Sequence, residues 1–285
     1  VWNYGQVDRI DLRSSLSAAG SRDGRNILLV GIDSRDGVSP SDSNASAFLG
    51  ETVTGARTDT VIVVHTDHGE QSILSIPRDL WVTDPATGDK GRINATFAAG
   101  PANLVRAVTA LGVPIDHYVE VDFGGFAGIV DSVGGVSINF PAPAKDDHSG
   151  LSVLHGGRVR LNGEQALAYV RSRYYTEFVN GSWKVDGTVD LGRTNRQRTF
   201  FAALISAVTG TRSPLAFALF PGAVRTGIHL DAGFSIFDMC SLFTDLRGSS
   251  PAGETLPVTP RVTSGGADVL ELGPGAQQVI SRFAR

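Results

Sequence analysis

Three short apolar runs fix what this chain can build at its centre. "NILLVGID" (Asn26–Asp33) ends in polar turn residues and reads as a buried strand; "TDTVIVVHTD" and "QSILSIPRD" are β-rich runs separated by His68, Gly69 and Glu70. So short a separation predicts that the second and third form a hairpin. Further along, Asn94–Leu111 reads as helical around a Gly100–Pro101 interruption, "HYVEVD" as a strand, Phe123–Ser132 as a helix and "VSINF" as a strand. Helical stretches follow near Leu215–Val224 and Ser235–Leu246, strands near Thr255–Pro260 and Val269–Leu272, and a closing helix near Ala276–Phe283. Strands alternating with helices predict a single α/β domain. Its central mixed β-sheet carries the antiparallel pair inside it and is covered by helices on both faces.

Size and charge narrow the functions available. With 285 residues, 41% of them hydrophobic, the chain can bury a large core, and a fold of this size removes about 75% of its extended-chain surface from water. The net charge of −4 excludes a surface built as a whole for nucleic acid, so any basic site is local. The single cysteine, Cys240, lies in the apolar run "FSIFDMCSLF" and is expected to be buried and inert; no internal disulfide can form. No stretch approaches the ~20 apolar residues of a membrane span. The chain opens at Val1 without an initiator Met, so an N-terminal piece, an anchor or a signal, is expected to have been removed.

The chemistry concentrates in "ALAYVRSRYY…DLGRTNRQRTFFAALI". From Thr194 to Gly210 the apolar residues Phe200, Phe201, Leu204, Ile205 and Val208 recur at helical spacing and define a stripe. Stepping that stripe back by three and four residues reaches Arg196, Gln197 and Arg193, so the helix is expected to aim guanidinium groups inward at its N-terminal end. Cations are disfavoured there by roughly 0.3–1 kcal/mol each, and an anion would offset them. Phosphate suits both a helix N-terminus and planar arginine forks. With Arg171 and Arg173, four arginines fall within 26 residues. Pairing of these arginines with the chain's own carboxylates, Asp190 or Asp131, is the alternative.

A second cluster follows from topology. Asp33 closes the first strand, Arg57 and Asp59 open the second, and Arg78 and Asp79 close the third. If the three strands run antiparallel in turn, all five residues reach one sheet edge. Two carboxylates ~4 Å apart repel by about 4 kcal/mol at an effective dielectric near 20, and a divalent cation between them removes that repulsion. Aspartates without nearby histidine or cysteine favour a hard ion, Mg²⁺ before Zn²⁺. The alternative is that Asp59 caps a strand or turn and Asp79 pairs with Arg78. A hard metal beside arginines equips a site for phosphoryl or pyrophosphoryl chemistry. The chain lacks a P-loop and a dinucleotide fingerprint, and its six histidines are scattered without metal-ligand spacing.

Seven blocks, "NILLVGIDSR", "ARTDTVIVV", "SILSIPRD", "GRINATFAAG", "VDFGGFAGIVDSVGGV", "LNGEQALAYVRSR" and "DLGRTNRQR", resemble LytR-CpsA-Psr proteins in content and order, from about Asn26 to Leu204. The resemblance implies an extracytoplasmic enzyme, anchored by an N-terminal transmembrane helix that this chain does not include. Residues 1–25 would then follow the anchor, and 26–285 would form the catalytic domain. Such enzymes move a glycan polymer from a polyprenyl-pyrophosphate carrier to peptidoglycan and cleave pyrophosphate when no acceptor is present. By the same resemblance, Asp33 and Asp59 are Mg²⁺-associated carboxylates, with Mn²⁺ as a substitute, and act catalytically together with Arg78. Arg57, Arg78, Arg171, Arg173, Arg193 and Gln197 resemble pyrophosphate ligands, which Arg196 joins from the helical pattern, and Asp79 and Asp190 orient arginines. Tyr174–Val189, carrying Trp183, is longer than the family's usual span, as is Ser34–Gly55.

A polyprenyl chain requires an apolar groove leading away from its pyrophosphate. The stripe Phe200, Phe201, Leu204, Ile205 and Val208, with Phe217 and Phe220 in the run Leu215–Val224, is the candidate lining; the alternative is that these residues are plain core. The Ala-, Gly-, Val- and Arg-rich composition suggests a high-GC genome, which tilts the polymer towards arabinogalactan over teichoic acid. The expected partners are the lipid-linked glycan donor, the peptidoglycan acceptor and the membrane, with no nucleic acid. A non-catalytic binder or regulator that recognises polyprenyl phosphates or wall glycans is the alternative function, since an arginine cluster serves both.

Overall fold

The strand-like runs form the middle of a seven-stranded sheet. The computed structural model describes residues 7–17, 24–32, 58–67, 70–186, 189–210, 227–246 and 252–284. Within these, the chain gives β1 (Asp8–Ile10), β2 (Arg25–Ile32), β3 (Thr58–Asp67), β4 (Glu70–Ile76), β5 (Trp81–Thr83), β6 (Lys90–Arg92), a 3-10 helix (Ile93–Ala99), α1 (Pro101–Ala110) and β7 (His117–Val121). Next come α2 (Phe123–Ser132), β8 (Val136–Phe140), β9 (Ala144–Asp146), β10 (Leu151–Val153), β11 (Gly157–Leu161), α3 (Gly163–Arg171), β12 (Thr176–Val179), β13 (Ser182–Val185) and α4 (Val189–Thr209). The last part gives β14 (Ile228–Asp231), α5 (Ile236–Leu246), β15 (Ala252–Thr255), β16 (Val258–Val262), β17 (Asp268–Leu272) and α6 (Ala276–Phe283).

The described residues gather into two compact units, one drawn from Tyr4–Ser34, Thr54–Asp122 and Ile228–Arg285, the other from Phe123–Gly227. The first holds the large sheet, in the order β1-β14-β7-β2-β3-β4-β15. Its pairing is mixed: β2 lies antiparallel to β3 and β3 to β4, while β7 runs parallel to β2 and β15 parallel to β4. Alternate residues feed opposite faces. Leu28, Val30, Val61, Val63, Leu74 and Ile76 join one buried cluster with Leu104 and Val108 of α1 and Ile280 and Phe283 of α6. The opposite face carries buried Ile27, Ile62, Val64 and Ile73 and is met by α5, whose Asp245 carbonyl accepts a 2.5 Å hydrogen bond from Gln71 Nε2. Helices therefore cover both faces, as the alternation predicts.

The second unit has its own core, in which Val130 of α2, Phe140 of β8, Leu151 of β10, Leu167 and Tyr169 of α3 and Phe200 of α4 pack together. Its strands form a four-stranded sheet, β10-β9-β12-β13, and the pair β11-β8. Except for β8, sequence periodicity gave no sign of them, because they are three to five residues long and mostly half polar. Helix α3 packs on α2 through Gly163, where a Cβ would stand 2.3 Å from the Ala127 carbonyl oxygen. Cys240, expected in the core, is only half-buried on α5, because an apolar run on a one-sided helix leaves some of its residues at the margin. Leu215–Val224, with Phe217 and Phe220, lies outside the described residues. No helix among those described is long and apolar enough to cross a membrane.

Candidate anion-binding site

Helix α3 begins with a reciprocal cap. Asn162 accepts from the Gln165 amide at 2.9 Å, while Gln165 Oε1 accepts from the Asn162 amide at 3.1 Å. Glu164 lies in the first turn and Arg171 in the last, each favoured by the helix dipole. The Arg171 guanidinium stacks 4.4 Å from the Phe123 ring centre, and Arg173 is exposed one residue beyond the helix cap. Thus one arginine of the predicted cluster sits at a helix C-terminus, where a cation needs no anion to offset it. The dipole argument does not extend to Arg196 either. Helix α4 starts at Val189, not Thr194, so Arg196 lies two turns inside, beyond the reach of the end charge.

The residue between Arg171 and Arg173 is fixed from both sides. Ser172 is fully buried; its hydroxyl donates to Asp146 Oδ2 at 2.7 Å, and its carbonyl accepts from Arg196 Nη2 at 2.8 Å. Asp146, 1% exposed, also accepts from the amides of Tyr174 and His148, each at 2.9 Å, and of Ser149 at 3.3 Å. Burial alone would push its carboxyl up, but these hydrogen bonds outweigh burial and hold it below the usual carboxylate range. Gln197 Nε2 donates to the Val170 carbonyl at 3.3 Å. Arg196 and Gln197 therefore satisfy carbonyls that the end of α3 leaves open.

This corrects the reading of Arg196 as a pyrophosphate ligand. Its Nη1 pairs with Asp186 at 2.9 Å, its guanidinium stacks 4.5 Å over Tyr175, and it is 7% exposed. The inward aim was expected; the partner is the chain's own carboxylate. Asp131, the other carboxylate considered for these arginines, accepts from the Gly163 amide at 2.8 Å. Of the apolar stripe, Phe200 and Leu204 are core, Phe200 packing against Phe126 and Tyr169. They are thus closed to a groove, because their surface is already taken up by the unit's own interior. Phe201, Ile205 and Val208 are half-buried.

In the sheet unit, Ile32 pairs with Thr58 and Val61 with Ile76, so the ends of β2 and β4 and the start of β3 share one edge. Asp33 and Arg57 lie outside the described residues, as do the side chains of Asp59, Asp190 and Arg193. Among the described residues no group of three or more His, Cys, Asp or Glu could hold a metal. Asp79 stands between two guanidiniums, 3.5 Å from Arg78 Nε and 3.3 Å from Arg92 Nε. Arg92 is itself tied to the Asp268 carbonyl at 2.8 Å. Sequence reasoning missed Asp146, Ser172 and Asp186. For Asp146 the available signal was the "DDHSG" turn, where an aspartate accepts from amides two and three residues on.

The fold and this cluster define a mixed α/β protein that presents arginines from a capped helix end held by a buried carboxylate. The chain belongs to the LytR_cpsA_psr family, which matches residues 5–272. It is 35% identical over 265 residues to the "Probable cell wall biosynthesis protein LcpB" of Corynebacterium glutamicum, covering 90% of this chain and 60% of that protein. It is 30% identical over 260 residues to the polyisoprenyl-teichoic acid–peptidoglycan teichoic acid transferase TagU of Halalkalibacterium halodurans, covering 88% of this chain and 75% of TagU. A solved LytR-Csp2A-Psr enzyme from Actinomyces oris superposes with a TM-score of 0.76 at 25% identity, covering 98% of this chain and 96% of that one.

Proposed function

We propose that this protein transfers a cell-wall glycopolymer from a polyprenyl-pyrophosphate carrier to peptidoglycan at the extracytoplasmic face of the membrane. The acceptor hydroxyl oxygen bonds to the glycan-side phosphorus as the bridging P–O bond breaks. The polyprenyl phosphate departs, and the hydroxyl proton passes to solvent or a base. With water in place of the acceptor, the same step is pyrophosphate cleavage.

The observation that carries the reading is the pair Arg171 and Arg173, flanking a Ser172 whose hydroxyl and carbonyl are both fixed. A backbone so held presents two guanidiniums without much ordering cost on binding, which suits a diphosphate. The names of TagU and LcpB, both cell-wall proteins, agree with it. Asp33 and Asp59 would hold Mg²⁺: in sequence they directly follow Ile32 and Thr58, which pair across β2 and β3, and both offer carboxylate oxygens, which fits a hard ion. When bound, the ion would neutralise charge growing on the leaving phosphate. Phe201, Ile205 and Val208 would contact the prenyl chain.

The test is release of inorganic phosphate from geranylgeranyl pyrophosphate, with and without Mg²⁺, for the wild type and for Asp33→Ala and Asp59→Ala. Folded variants with little activity, mimicked by EDTA, are expected. Activity untouched by EDTA would remove the metal, and none under any condition would leave a binding protein.

A further inference from the structure

The sheet β10-β9-β12-β13 breaks the usual rule for a surface sheet. Its inner face buries Ala144, Leu151 and Val153 beside Asp146. On the outer face, where polar residues belong, Phe178 pairs across the hairpin with Trp183 and Thr176 with Val185. Trp183 is 46% exposed, Phe178 41% and Val185 65%. Beside them Tyr174, 57% exposed, stacks 4.4 Å from His148. Lys145 Nζ sits 5.2 Å from the Trp183 ring centre and 3.2 Å from Asp147. Of these, Lys145, His148, Tyr174, Thr176, Trp183 and Val185 line an open cleft of about 340 Å³, with Asp146 and Asp147 among its walls.

We propose that this cleft binds the saccharide of the lipid-linked donor next to its pyrophosphate, a reading that rests on the function proposed above. A sugar ring is apolar on its C–H faces and ringed by hydroxyls. Trp183 and Tyr174 offer planes for the faces, and Lys145, Asp147, His148 and Thr176 offer donors and acceptors for the rim. The volume is at the low end for small-ligand sites, enough for about two sugar rings. Two carboxylates, Asp146 and Asp147, turn away a bare phosphate, and the charged rim turns away a prenyl chain. Continuity with the anion site sets the source: Tyr174 follows Arg173 directly, and Asp146 grips both Ser172 and Tyr174.

Titration calorimetry on the full chain with geranylgeranyl pyrophosphate and with geranylgeranyl-pyrophosphoryl-N-acetylglucosamine separates the two ideas. The sugar-bearing probe is expected to bind the wild type about tenfold tighter. Trp183→Ala and Tyr174→Ala should each remove most of that gain, leaving the sugarless affinity within about twofold, and Trp183→Phe should keep most of it. The cleft assignment is overturned by any of three results: no gain in the wild type, a gain that survives both alanine variants, or a loss confined to a peptidoglycan tetrasaccharide offered as a third probe. Failure of the wild type to bind even the sugarless probe would instead bring down the functional reading, and this assignment with it.

Discussion

Replacing Asp146 by alanine should cost this protein more stability than any surface carboxylate can. The side chain is 1% exposed and accepts four hydrogen bonds, from the Ser172 hydroxyl and from the amides of Tyr174, His148 and Ser149. The Ser172 bond is fully buried and ends on a charged acceptor, worth about 1.5–3 kcal/mol. The three amide bonds are partly solvent-accessible, so water can replace them in part, at about 0.5–1 kcal/mol each. The expected loss is therefore about 3–6 kcal/mol, read from urea denaturation followed by circular dichroism with the m-value unchanged. Asp147→Ala, next door, 81% exposed and paired with Lys145, should change stability by less than about 0.5 kcal/mol. The sign of the pH dependence follows from the depressed carboxyl. Its contribution is complete above the ordinary value of 3.8 and is lost as pH falls through the lower folded value. Wild-type stability should thus decline below about pH 4 more steeply than that of Asp146→Asn. An Asp146→Ala protein within about 1 kcal/mol of wild type would refute the claim that this carboxylate holds the arginine-bearing segment.

Arg196→Ala should lower stability by about 2–4 kcal/mol, since it removes the buried guanidinium that pairs with Asp186 and donates to the Ser172 carbonyl. Urea denaturation measures the loss, and whatever folded protein remains should bind geranylgeranyl pyrophosphate nearly as wild type; selective loss of binding would return Arg196 to the ligand set. Arg171→Ala and Arg173→Ala should do the reverse, weakening that probe by about tenfold or more at each position in calorimetry while shifting the melting temperature little. Gly163→Ala should destabilise by about 1–3 kcal/mol in thermal unfolding, because the new Cβ meets Ala127 backbone at 2.3 Å and pushes α3 from α2. A neutral substitution there would mean that the two helices are free to separate.

Much of this was legible in one dimension, for physical reasons. The strands β2, β3 and β4 are buried on both faces, so their apolar runs are nearly continuous, and a two-residue connection, His68–Gly69, leaves an antiparallel hairpin as the simplest pairing. The closing helix α6 was readable to its exact ends because its apolar residues Val279, Ile280 and Phe283 keep helical spacing after Gly275. Arg171 and Arg173 stood out because two cations one residue apart after an apolar helix demand an explanation. What sequence could not reach is who meets whom across a turn. Arg196 has the same composition and spacing whether it faces a phosphate or Asp186, ten residues earlier. Only the crossing of α4 over the end of α3, with the hairpin β12-β13 bringing Asp186 alongside, decides for the carboxylate. The burial of Asp146 was out of reach for the same reason, although its turn marked it as an amide acceptor. A carboxylate in a polar turn reads as solvated until tertiary packing shuts water out, and then the hydrogen bonds it accepts determine where the arginines stand.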